Sequence, residues 1–124
     1  MLRGHRVASV AVALFFVASG PTAHGARCGA PGLPACPLQQ WMRTSLAVGY
    51  AKRDYAALAE ELAKLGELNP APTDPTWTGW NRHAQAAAAA AKRKQDGQVV
   101  KACAACHVEY RRRYLEDFRN RPVP

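Results

Sequence analysis

The chain is poor in methionine, in acidic residues and in long apolar runs. Only 2 of its 124 residues are methionine, so beyond Met1 the sole one is Met42. Asp and Glu number 9 against 17 Lys and Arg, a net charge of +8. That balance suits docking on an acidic partner or loose association with anionic lipid. The longest apolar stretch, Val7 to Val17 (VASVAVALFFV), falls short of the roughly 20 residues that span a bilayer, which excludes an integral membrane segment in the mature form. No segment alternates as a strand does, which excludes a sheet-based fold. No Ser/His/Asp set, carboxylate pair or Gly-rich phosphate loop is present, so no catalytic residues and no enzymatic activity are expected.

What is present starts with a leader. Arg3 and Arg6 precede the apolar stretch, and small residues follow it up to Gly25. The order basic, apolar, small predicts a secretory signal peptide over 1–25, and therefore export to the periplasm. Without the leader Lys and Arg fall to 15 against the same 9 acids, a charge of +6. Export and basic residues spread along several helices argue against nucleic acid as a partner. Residues 26–37 are rich in Gly and Pro and predict an irregular arm that carries Cys28 and Cys36. Two cysteines left over in an oxidising compartment predict a disulfide between them, which in a short loop contributes on the order of 2–3 kcal/mol.

Residues 38–124 read as one helical domain. Leu38, Trp41, Met42, Ser45, Leu46 and Gly49 recur at helical spacing, and Asp54 is a candidate N-cap for a second helix through Tyr55, Leu58, Leu62, Leu65 and Leu68. Whether the first helix breaks or bends at Arg53-Asp54 is left open by the pattern. Asp74-Pro75 opens a third helix with Trp77, Trp80, Ala84, Ala87, Ala88 and Ala91 on one stripe. Asp96-Gly97 predicts the next break, and a last helix runs from about Gln98 to Phe118. Its expected inward face holds Val99, Cys103, Cys106, His107, Tyr110, Tyr114 and Phe118. Four helices joined by short breaks predict an all-α antiparallel four-helix bundle.

The last helix carries the chemistry. Cys103-Ala104-Ala105-Cys106-His107 is C-x-x-C-H, the attachment signature of a c-type haem. Two thiols one helical turn apart reach the two vinyl groups of one porphyrin, and the next residue brings an imidazole under the iron. The expected cofactor is therefore one covalent haem c on Cys103 and Cys106, with His107 as proximal iron ligand. A thiol-redox pair requires a strand before the helix, and a structural zinc site requires two further ligands from Cys28, Cys36 and His83. Both are weaker readings of the same motif. His83 lies off the Trp80/Ala84/Ala87 stripe and is expected at the surface.

With Tyr110 and Arg111 following, and with its place on the last of four helices, the motif resembles the class II c-type cytochromes, the group of cytochrome c-prime and its low-spin relatives. The resemblance implies a four-helix bundle with haem packed between helices, serving periplasmic electron transfer or gas binding. It also implies that the sixth iron position faces the first helix, where Met42 is the candidate distal ligand. With Met42 bound, the protein would be an electron carrier for redox partners with acidic docking surfaces. Without it, a five-coordinate iron would take up nitric oxide or carbon monoxide. Tyr110 and Arg111 are expected in the haem environment, Arg111 near the iron or a propionate. A homodimer is a further possibility that the resemblance raises.

Overall fold

The computed structural model describes residues 28–124, so the expected leader over 1–25 lies outside the described residues. Within 28–124 the chain is helical, with no strand. Helix α1, residues 37–51, is α-helical over Pro37–Trp41, widens to a π-turn over Met42–Leu46 and is α-helical again over Ala47–Ala51. Pro37 stands in its first turn, where a missing N–H costs nothing, and the Gln39 side chain accepts from the Cys36 N–H at 3.3 Å. The π-turn coincides with Thr44, whose hydroxyl bonds back to the carbonyls of Gln40 (3.1 Å) and Trp41 (3.2 Å). A hydroxyl competing for ladder carbonyls widens a helix locally. The sequence pattern contains no hint of this turn.

A break follows, which resolves the ambiguity at Arg53-Asp54. Arg53 takes a left-handed backbone (φ 55°), and Asp54 caps α2, Tyr55–Glu67, by accepting from the Ala57 N–H at 3.1 Å. After Asn69 and Pro70, Asp74 accepts from the Thr76 N–H at 2.8 Å and starts a 3-10 turn over Pro75–Trp77 that leads into α3, Thr78–Lys92. The last helix, α4, spans Asp96–Asp117. It starts two residues earlier than the pattern suggested. The left-handed residue that makes the break is Lys94 (φ 57°), which leaves Asp96 inside the first helical turn, where the helix dipole favours an acid.

The core lies between α2, α3 and α4. Leu58, Leu62 and Leu65 of α2 pack on the alanine stripe of α3, and a Cβ placed on Gly66 would meet that of Ala84 at 3.6 Å, so the two helices sit close. Each fully buried leucine contributes about 1.5–3 kcal/mol through area removed from water. Trp77 and Trp80 join α3 to α4: Trp77 stacks on Tyr110 at 5.0 Å and Trp80 on Tyr114 at 5.8 Å. The buried indole N–H of Trp80 donates to the Leu65 carbonyl at 2.8 Å. Among the described residues no helix is long and apolar enough to cross a membrane.

One side of the bundle is not closed in this way. No Cα of α1 lies within 8 Å of a Cα of α4. Helices that pack directly sit about 8–10 Å apart axis to axis, which brings facing Cα atoms closer than that.

Candidate functional site

The space between α1 and α4 is a cavity of about 360 Å³. Leu38, Gln39, Met42, Arg43 and Ala47 line it from α1, and Cys106, His107, Tyr110, Arg111, Tyr114 and Leu115 from α4. Trp80 contributes from α3, and Gly29 and Cys36 from the arm. The volume falls within the roughly 300–1,000 Å³ of small-molecule and cofactor sites. The wall is mainly apolar and aromatic. Its two ionised side chains are the guanidiniums of Arg43 and Arg111, both exposed, and no carboxylate lines it.

The residues singled out in the sequence are distributed unevenly here. Cys106 and His107 border the cavity from one side and Met42, at the start of the π-turn, from the other. Cys103 is half-buried against the core one turn before Cys106 and is not part of the cavity lining. Cys106 is 8% exposed, and neither thiol is in a disulfide. His107 was expected to face inward, but it is exposed. One residue on from a buried Cys106, it is turned about 100° round the helix, which carries it to the edge of the cavity. Tyr110 is 1% exposed and Arg111 stands at the lip.

His83, expected at the surface, is mostly covered. Its side chain is 16% exposed, and its Nε2 lies 2.7 Å from Glu109 Oε2, because a carboxylate two residues beyond His107 reaches across to it. It does not border the cavity. The sulfurs of Cys28 and Cys36 are bonded, with their Cα atoms 4.8 Å apart.

Sequence reasoning missed Arg43 and Gln39. Both are polar residues four apart on the helix face that also carries Leu38 and Met42, and a search for an apolar stripe passes over them.

The electrostatics separate the competing readings of the motif. Burial pushes the Cys106 thiol up to about 12, with Cys103 and Glu109 adding to the rise, and burial also raises Cys103. A thiol-redox pair needs thiolates that form easily, the opposite shift. His107, though exposed overall, is held below its ordinary value by partial desolvation and then by Arg111, which favours the neutral imidazole that binds metals. Among the described residues no three His, Cys, Asp or Glu side chains gather around one point to hold a metal ion. A haem makes a different demand. It needs two thiols a turn apart, one imidazole, an apolar slot and cations for two propionates: Cys106, His107, Arg43, Arg111 and the apolar wall border the slot, and Cys103 stands one turn from Cys106, outside the lining.

No family model, curated protein or solved structure matches the chain.

Proposed function

We propose that the protein is an exported, periplasmic c-type cytochrome with one haem attached through Cys103 and Cys106, acting as an electron carrier. The observation that carries this reading is the slot between two helices that never approach each other, with Cys106 and His107 on one wall and Met42 on the other. Bound haem supplies a one-electron ferric/ferrous couple.

Each side chain then has a task. Cys103 and Cys106 hold the porphyrin covalently, and His107 supplies the proximal nitrogen. Met42 offers a thioether as sixth ligand, which raises the reduction potential and excludes external ligands. Leu38, Trp80, Tyr110 and Tyr114 keep water from the slot and lower its dielectric. Arg43 and Arg111 neutralise carboxylates at the lip. None of this requires a substrate, which agrees with the lack of a catalytic set in the sequence. The exposed cations fit acidic docking surfaces on redox partners.

Spectra of the protein produced with a haem-attachment system, ferric and ferrous, with and without carbon monoxide, test the reading. A low-spin spectrum unperturbed by carbon monoxide, and altered by Met42→Ala, is expected. Prompt carbon monoxide binding to a high-spin ferrous form contradicts the Met42 ligand and leaves the gas-binding alternative.

A further inference from the structure

The arm before α1 is built into the slot. Gly29 and Cys36 both line the cavity, and Cys36 is 1% exposed. The Cys28–Cys36 bond closes a ring that is also held by the Gly29 N–H donating to the Pro34 carbonyl at 2.7 Å. Gly29 is needed twice over. Its φ of +75° disfavours any side chain, and a Cβ there would lie 2.8 Å from Cys36 Sγ. The ring also meets the chain just after α4, with Cys28 Sγ 3.3 Å from the Asn120 side-chain oxygen. The ring thus bridges the start of α1 and the chain just after α4, at one end of the slot between these two helices, whose backbones do not approach within 8 Å. The helices do not seal that end themselves.

We infer that the disulfide-closed arm is the end wall of the haem slot and determines which external ligands reach the iron. Seated through Cys36 on Gly29, it slows the entry of water and diatomic gases to an iron whose sixth position Met42 does not occupy. Opening the ring frees the arm from the slot without disturbing the α2–α3–α4 core, which it does not help to form. The inference rests on the haem reading above. It assigns a role to a segment that electron transfer by itself does not use.

Carbon monoxide association with the ferrous Met42→Ala holoprotein, which serves as the parent because its sixth position is open, is followed by stopped flow and tests it in three variants made in that background. Cys28→Ser/Cys36→Ser removes the bond and is expected to bind the gas about tenfold faster than the parent, as local opening of a wall allows. Gly29→Ala keeps the bond but pushes Cys36 off its seat, and a smaller rise in the same direction is expected. Gly32→Ala is the control: its φ is +79°, yet a Cβ there meets nothing within 4 Å, so it strains the arm without moving the wall and leaves the rate at that of the parent. Hydrogen exchange gives a second readout, with faster exchange in the double-serine variant at Gly29 and in the last turn of α4 but not in α2 or α3. A haem-loaded double-serine protein within twofold of the parent overturns the inference, as does faster exchange throughout α2 and α3. Should that variant fail to accumulate, equal rates in Gly29→Ala and Gly32→Ala overturn it instead. A parent exported without covalent haem removes the haem reading and the inference together, an outcome distinct from a haem-loaded parent with an indifferent arm.

Discussion

The two sides of this bundle are built from different residues. Where α2 meets α3, the facing side chains are leucine, glycine and alanine, and Gly66 and Ala84 let the backbones come close. Where α1 faces α4, methionine, cysteine, histidine and two arginines stand among leucine and tyrosine side chains, and the backbones stay apart. Small and aliphatic residues fill space by themselves, so the first side is complete as a protein core. The second side has reactive and cationic groups around a space that protein atoms leave unfilled. A chain of this size buries only a modest core, and a covalently held apolar plate would complete it.

Substitutions on each side break or sharpen that contrast. The largest loss is expected for Trp77→Ala, which removes a ring that is 2% exposed and stacked on Tyr110. Chemical denaturation should show about 3–5 kcal/mol less stability. Gly79→Ala links the two sides. Its Cβ would lie 2.8 Å from Glu109 Oε1 and closer still to the hydroxyl of Tyr110, a ring that stacks on Trp77 and forms part of the cavity wall. Forcing that ring to move costs about 1–3 kcal/mol, and the same strain should alter the haem spectrum. Met42→Ala should cost about 1 kcal/mol, because the side chain is only half-buried, yet change the spectrum more than either core substitution.

The smallest effect concerns pH and belongs to the closed side, at the Asp74 cap. Hydrogen bonds from the Thr76 side chain and N–H hold the Asp74 carboxyl below its ordinary 3.8. A depressed carboxyl stabilises the fold above its unfolded value, and that contribution is lost as pH falls through the folded one. Asp74→Asn should therefore flatten the stability profile below about pH 3.8 and leave its shape at neutral pH unchanged. Thermal unfolding across an acid series measures this.

Much of the closed side was legible in the sequence. Tyr55, Leu58, Leu62 and Leu65 repeat at helical spacing, and Asp54 and Asp74 signal starts, because amphipathic periodicity and capping are local rules. The open side was legible only in part. Cys103, Cys106 and His107 stand together in the chain, so a motif reveals them. The π-turn does not show, since Thr44 is an ordinary helix residue until its hydroxyl turns back on the ladder. Arg43 and Gln39 were missed because a search for an apolar stripe passes over polar residues on the same face. His83, expected at the surface, is half-buried and paired with Glu109, 26 residues away, a contact that spacing within one helix cannot reveal. The ends of helices at Lys94 and Asp96 depended on a left-handed lysine where glycine is the usual signal.

The central claim is that the open side is completed by one covalent haem. Intact mass of the protein, produced with a haem-attachment system and combined with a thiol count under denaturing, non-reducing conditions, tests it most directly. The account predicts the mass of the chain plus one haem and no reactive thiol, since Cys103 and Cys106 are in thioether bonds and Cys28 and Cys36 in a disulfide. The mass of the bare chain, with Cys103 and Cys106 both open to alkylation, would contradict it.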